Sequence, residues 1–222
     1  MRRVPERTVI DHWLAHEPLA DGIDPTALDD AAALDSLLRA KPGAAAFLWR
    51  EAPIDWYRVR PTPGQLGRLR VGEGPPDMLW RALSPDGTVD GAARRVTAGD
   101  PDRLTERTGV DVRRVLRLAA EIERRTETEM ATKIEGGNGV RNGLPALVCF
   151  ARRPWARPFV ADGNHRAVAA AVALRGGASV RPPGAYLGVG RNRPLAEAKT
   201  ALRSLLWSVR ARLAGRDEPN GF

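Results

Sequence analysis

At Phe159–Val172 the chain reads Phe-Val-Ala-Asp-Gly-Asn-His-Arg-Ala-Val-Ala-Ala-Ala-Val, and this stretch decides the fold. A short apolar run comes first, an acidic residue and a glycine follow, and the alanine-rich part after them has helical spacing. The pattern predicts a strand, a tight turn and a helix. Because a helix start carries unpaired backbone N–H groups and a partial positive charge, the turn suits an anion such as phosphate.

The residues of this turn are the first candidates for a functional site. Arg166 supplies a forked donor with a permanent charge, and His165 is a candidate acid or base. Gly163 lets the backbone turn, or approach a ligand closely, without a side chain in the way. The alternative is purely structural: Asp-Gly and Asn are common turn formers, Asn164 would cap the helix, and His165 and Arg166 would be solvated.

The five residues Asp162–Arg166 resemble the D-G-x-H-R signature of the ParB/sulfiredoxin-like superfamily. That group includes sulfiredoxins, free-serine kinases and the nucleotide-binding domain of chromosome-partitioning ParB proteins. The preceding Gly143–Val148 resembles the approach to the first of two strands in the same fold, so the resemblance covers roughly residues 130–190. It implies an α/β (α+β) fold, in which helices flank a small mixed sheet.

The resemblance also implies a ligand and a set of residue roles. It makes Asp162, His165 and Arg166 the catalytic candidates, with Gly163 and Asn164 against a bound nucleotide, ATP or CTP. Asp162 would organise Mg²⁺, which prefers hard oxygen ligands. The implied reaction class is phosphoryl transfer, by a kinase-like phosphotransferase with a small-molecule phosphate acceptor, or nucleoside triphosphate hydrolysis. A non-catalytic interaction module is the alternative.

A second loop, Ile134–Gly143, contains four glycines. Its backbone could come close to a ligand, and Asn138 and Arg141 are candidates for hydrogen bonds to the nucleotide. A plain connector explains the same composition equally well. No Walker lysine follows, so this is not a P-loop.

Two departures from the superfamily limit the chemistry. Sulfiredoxin chemistry needs a nucleophilic thiolate where this chain has Asn164, and Cys149 lies in another element, where we expect it to pack as a small hydrophobe. The serine kinases of the group use an upstream glutamate as a base. The candidates here, Glu73 and Glu135, stand in no recognisable version of that motif.

The net charge of +8 and the pI of about 10.8 are typical of nucleic-acid-binding proteins. Only three of the 35 basic residues are lysines, however, and the abundance of Ala, Gly, Pro and Arg indicates a GC-rich genome. Because this bias accounts for much of the charge, a DNA-associated ParB-like or nuclease-like protein, with nucleic acid as partner, is the alternative and not the leading hypothesis.

ParB proteins place a helix-turn-helix domain after their nucleotide-binding domain. About 50 residues follow residue 172 here, which we expect to be too few for that domain.

Several functions are disfavoured by composition. No apolar run approaches the roughly 20 residues that span a bilayer, and no secretory signal follows the basic N-terminus. A lone cysteine forms no internal disulfide, so we expect a cytoplasmic protein without a membrane partner. His12 and His16 have the spacing of a helical metal pair, but surface or packing roles are favoured because no third ligand is nearby.

The domain prediction divides the chain at residue 50. Residues 1–50 are expected to form an N-terminal helical extension, with a helix starting at Asp24. Residues 51–214 are expected to form the ParB/sulfiredoxin-like domain, with a helical insertion at about 101–134. Residues 215–222 are expected to be a frayed tail. Residues 84–101 are predicted to be a flexible connection. The strands are expected at 54–60, 144–150, 157–161 and within 180–189, and the helices include 165–175 and one from Pro194.

Overall fold

The computed structural model of the protein describes residues 1–17, 24, 27–72, 77–134 and 144–191. Within these ranges the chain has a mixed α/β fold, as predicted. The elements in chain order are β1 (Arg2–Val4), α1 (Glu6–Leu14), α2 (Asp30–Ala40), α3 (Ala44–Trp49), β2 (Ile54–Val59), α4 (Pro63–Arg68), α5 (Leu79–Leu83), α6 (Val89–Ala98), α7 (Pro101–Thr108), α8 (Val112–Ile134), β3 (Leu147–Ala151), β4 (Phe159–Asp162), α9 (Asn164–Arg175) and β5 (Ala185–Gly190).

The strands form one mixed sheet in the order β1-β2-β5-β3-β4. β3 and β5 are parallel, and the other neighbouring pairs are antiparallel. The starts of β3 and β5 therefore lie beside the ends of β2 and β4, at one end of the strands. Since α9 begins directly after β4, the Asp162–Arg166 turn, called the signature turn below, lies at this same end.

Helices cover both faces of the sheet. α1, α2 and α3 pack on one face, where Trp13, Leu37 and Trp56 are fully buried. The other core contains residues of α4, α6, α8 and α9. Because alternate residues of a strand point to opposite faces, Phe150 belongs to the first core and its neighbour Cys149 to the second.

The structure confirms most of the predicted elements. The predicted strands at 54–60, 144–150, 157–161 and within 180–189 correspond to β2, β3, β4 and β5, and the helix at 165–175 to α9. The two helices α7 and α8 occupy residues 101–134. Strong period-2 alternation and long apolar runs identified these segments correctly.

The prediction of a flexible connection at 84–101 is wrong, since α6 occupies most of it. The Thr88 hydroxyl accepts a hydrogen bond from the Gly91 N–H at 2.9 Å and caps the helix. The small residues Gly91, Ala92 and Ala93 are buried, so α6 packs closely on the alanine-rich α9. The helix was not predicted because its sequence is polar and contains glycine, although the helix packs in the core.

Two details of the N-terminal region also differ from the prediction. The first 50 residues contain helices, but they also supply a strand, β1, which pairs with β2. The helix expected from Asp24 begins at Asp30, where Asp29 accepts from the Ala32 N–H at 2.8 Å. Asp29 is the cap because its carboxylate sits three residues before the N–H that it satisfies.

Some predictions concern residues outside the described ranges. These are the glycine-rich loop up to Gly143, the helix from Pro194 and the tail at 215–222. Among the helices of the described ranges, none has the length and hydrophobicity that a membrane span requires.

Candidate functional site

The turn between β4 and α9 requires glycine. Gly163 has φ of +91°, in the left-handed region that L side chains rarely adopt. A Cβ atom there would lie 2.8 Å from Leu147 Cδ2 and 2.9 Å from Arg166 Nη2. The missing side chain thus leaves room for the guanidinium group of Arg166, which packs against the turn.

Asn164 ties the turn to a neighbouring segment instead of capping α9. Its Oδ1 accepts from the Gly72 N–H at 2.9 Å, and its Nδ2 donates to the Val160 carbonyl at 3.0 Å. The first backbone bond of α9 runs from the Ala167 N–H to the Gly163 carbonyl at 2.9 Å. The N–H groups of residues 164–166 consequently precede the helical hydrogen-bond ladder.

Arg166 and Asp162 form an ion pair at the start of α9. Arg166 Nη2 lies 3.0 Å from Asp162 Oδ2 and 3.4 Å from the Ala146 carbonyl, just before β3. Both side chains are about four-fifths buried, at 20% and 22% exposure. Arg166 Nε is buried and has no hydrogen-bond partner among the described residues. The pair joins α9 to β3 and β4, so Arg166 is a partly structural residue.

His165 points away from this ion pair. Its ring makes an edge-to-face contact with Trp80 of α5 at a centroid distance of 4.8 Å. Nε2 is buried, with no hydrogen-bond partner in the described part of the chain. Burial and, to a lesser extent, the positive charge of Arg114 lower the pKa of His165, so the ring is neutral at pH 7.

The strand register aligns the site residues across the sheet. Arg2 lies opposite Arg58, Arg58 opposite Tyr186, Tyr186 opposite Val148, and Val148 opposite Asp162. Directly opposed residues of a regular ladder project from the same face, and Tyr186 and Val148 lie in the core that α1 covers. Between Val148 and Cys149 the register with β4 shifts, so Asp162 joins the row through this irregularity. We call this row, together with Arg166, the basic edge.

Tyr186 positions Arg58 in the basic edge. The Arg58 Nη1 group donates to the Tyr186 hydroxyl, and the guanidinium carbon lies 4.8 Å from the centre of the tyrosine ring. Tyr186 is itself buried. In the described ranges no carboxylate forms an ion pair with Arg2 or Arg58, so their positive charges are not compensated locally.

His12 of α1 contributes to the basic edge, which the sequence did not predict. Its Nε2–H donates to the Ala146 carbonyl at 3.0 Å, the same oxygen that Arg166 approaches, and its ring lies 4.9 Å from that of Tyr186. Burial lowers the pKa of His12, and the Ala146 hydrogen bond opposes that shift. The i, i+4 spacing of His12 and His16 was visible in the sequence, but the strands they would face were not.

Both histidines hydrogen-bond to backbone carbonyls. His16 Nδ1 donates to the His12 carbonyl at 2.7 Å. In the residues that the structure describes, there is no group of three or more His, Cys, Asp or Glu side chains that could hold a metal ion.

Cys149 is buried in β3, as expected of a small hydrophobe. Burial, with a smaller effect of the Asp162 charge, raises its pKa to about 12. The thiol is therefore protonated at neutral pH and is not a nucleophile.

The remaining candidates of the sequence lie outside the described ranges, and several other arginines have local partners. Asn138 and Arg141 lie outside them, as do Glu73 and Glu135, whose side chains are not described. Arg68 donates to the Gly64 carbonyl within α4. On α8, Arg113 pairs with Asp102 at 2.5 Å and Arg125 pairs with Glu121, as the mixed charges of this helix predict.

Comparison of the chain with protein-family models, with curated proteins and with solved structures finds no match. The class defined by the fold is a mixed α/β protein with helices on both faces of a five-stranded sheet, counted over the described residues.

Proposed function

We propose that the protein binds the phosphate groups of a nucleotide at the basic edge. One observation carries the proposal: Arg2 and Arg58, which have no acidic partner in the described ranges, belong to the cross-strand row that ends at Asp162, directly before α9. Arginines without an acidic partner and a helix N-terminus at the same end of the strands attract a multiply charged anion. The resemblance of the turn to nucleotide-binding signatures favours a nucleotide over other anions.

Arg58 is the best placed phosphate ligand. It is exposed, while its contacts with Tyr186 restrict its orientation, so little side-chain entropy is lost on binding. Guanidinium groups bind phosphate oxygens through two parallel N–H donors. Arg166, which is held against Asp162, would mainly supply positive charge and orient the turn.

Magnesium would bind together with the nucleotide. The lone Asp162 carboxylate fits an ion that takes one or two protein carboxylates and completes its shell with phosphate oxygens and waters. The bound ion would offset the repulsion between Asp162 and the phosphates. Phosphoryl transfer or nucleotide hydrolysis is the reaction class that such a complex could support, and the neutral His165 would not supply positive charge to it.

Calorimetry and thermal shift with ATP, ADP, CTP and GTP, each with and without Mg²⁺, test the proposal. Arg58→Gln removes a surface donor and should weaken binding roughly 10- to 100-fold, the equivalent of one charge-assisted hydrogen bond of about 1.5–3 kcal/mol. Arg39→Gln is the matched control, because Arg39 is 84% exposed on α2 and pairs only loosely with Asp35 at 3.6 Å. It should bind as the wild type does.

Two results would overturn the proposal. One is the absence of stabilisation by any of the four nucleotides at millimolar concentration. The other is equal binding by Arg58→Gln and Arg39→Gln. A preference for one base in the wild type would in addition separate kinase-like from CTP-binding behaviour.

A further inference from the structure

The turn between β3 and β4 exposes a tryptophan at the opposite end of these strands from the basic edge. Trp155 is 73% exposed, whereas Trp13 and Trp56 are buried. We call residues 152–157, with the sequence Arg-Arg-Pro-Trp-Ala-Arg, the hairpin tip. The exposed ring presents a flat apolar face to solvent, and such a face can stack on another planar group.

The hairpin tip holds Trp155 in a defined position. The Ala156 N–H donates to the Arg153 carbonyl at 3.0 Å and closes a four-residue turn. Pro154 is the second residue of this turn, where its fixed φ suits the turn geometry. Trp155 is therefore presented on a preorganised loop, which lowers the entropic cost of binding a partner.

The hairpin tip carries three arginines, one of which lies near the exposed ring. The guanidinium carbon of Arg153 lies 6.0 Å from the centre of the Trp155 ring. Arg157 is exposed and has no acidic partner among the described residues. Arg152 lies 5.4 Å above the Phe47 ring and pairs with Glu51 at 3.5 Å, so the nearby carboxylate is already engaged. The hairpin tip thus combines one flat apolar surface with a local excess of positive charge.

We propose that the hairpin tip binds single-stranded nucleic acid. Such a strand has unpaired flat bases that can stack on Trp155, and a phosphate next to each base that can pair with Arg157. A bilayer is a poorer partner, because apart from Trp155 the hairpin tip offers only Pro154 and Ala156 as apolar side chains.

The hairpin tip and the basic edge are separate sites. β3 begins beside Asp162 at the basic edge and ends at Ala151 before the hairpin tip, and its five residues span about 13 Å. The inference consequently does not depend on the proposed nucleotide site.

Fluorescence anisotropy with a labelled 12-nucleotide single strand, in DNA and RNA forms, tests the inference at several salt concentrations. We expect Trp155→Ala to weaken binding roughly 5- to 100-fold, the range for the loss of one stacked base. Trp155→Phe keeps an aromatic face and should restore most of the affinity. Arg157→Gln should reduce the salt dependence, since one phosphate contact is lost. Arg39→Gln again controls for the loss of a general surface charge.

The decisive comparison is Trp155→Ala with Arg39→Gln. Because Trp155 is exposed, its removal should leave the melting temperature unchanged, which is checked on the same samples. Equal affinity of these two variants would overturn the inference and reduce the binding to non-specific attraction by a basic protein. Stronger, Trp155-dependent binding to vesicles of phosphatidylserine and phosphatidylcholine than to the single strand would also overturn it, in favour of a membrane surface.

Discussion

His165 and Arg166 are adjacent in the chain, and their side chains contact different elements at the start of α9. Arg166 reaches Asp162 and Ala146 at the edge of the sheet, while His165 contacts Trp80. Successive helical residues differ in direction by about 100°, so a contiguous motif does not have to form a contiguous site. The sequence predicted which residue types occupy the turn, but it did not predict that His165 and Arg166 contact different elements.

The environment of His165 predicts that acid destabilises the protein. Its folded-state pKa is lowered by burial and by Arg114, with opposing effects of Asp111 and Asp162. Between this value and the unfolded pKa of about 6.5, the unfolded chain binds more protons, so the free energy of unfolding decreases as the pH falls below about 6.5. His12, whose pKa is also lowered, adds to the effect.

His165→Phe should weaken this pH dependence. Phenylalanine keeps the edge contact with Trp80 and removes both the titrating group and a buried nitrogen without a partner in the described part of the chain. Urea unfolding at pH 7.5, 6.5 and 5.5 measures the slope, at pH values where most carboxylates stay ionised. An unchanged slope in the variant would show that His165 titrates equally in the folded and unfolded states.

At the scale of elements, the structure shows why a glycine lies at each end of α9. Gly163 at the start has φ of +91° and Gly177 after the end has φ of +89°, but only Gly163 is surrounded by other atoms. A Cβ on Gly177 would meet nothing within 4 Å. The two positions share the backbone strain and differ in steric contact.

This difference makes Gly177→Ala a matched control for Gly163→Ala. Gly177→Ala should cost about 1–2 kcal/mol, the strain of a left-handed alanine. Gly163→Ala should cost about 1–3 kcal/mol more, because its Cβ would displace Leu147 and the Arg166 guanidinium. Chemical denaturation at neutral pH measures both values. If both variants lost the same free energy of unfolding, the Arg166 side chain would move aside freely and the turn would not be tightly packed.

Elements with a strong local pattern were predictable, and elements that depend on distant partners were not. The alternation in β2 and the apolar run of β3 identified these strands from the sequence. α6 was missed because Gly91 and Ala92 appear polar or neutral on average and become core residues only against α9. The three residues of β1 were missed because pairing with β2, and not composition, makes them a strand.

At the scale of the molecule, the central strands contribute to two cores at once. Val148 and Phe150 of β3 pack against the α1–α3 layer, whereas Leu147 and Cys149 pack in the core with α6, α8 and α9. β1 extends the same sheet through β2. Residues 1–50 therefore share a sheet and a core with the rest of the described chain, so we predict that both layers unfold together.

Two cavity-forming substitutions, one in each core, test this prediction. Leu37→Ala in α2 should cost about 2–5 kcal/mol, and Val115→Ala in α8 should cost less because fewer methyl groups are lost. Among the tryptophans of the described residues, Trp13, Trp49 and Trp56 lie on the α1–α3 face and Trp80 packs against the other core, so fluorescence in urea is measured in a Trp80→Phe background. Far-ultraviolet circular dichroism reports on all helices. If the layers are one cooperative unit, each substitution shifts both transitions to the same midpoint. If Leu37→Ala moved only the fluorescence transition, residues 1–50 would be a separate unit, and His12 would join the basic edge through a docked extension that can detach while the signature turn stays folded.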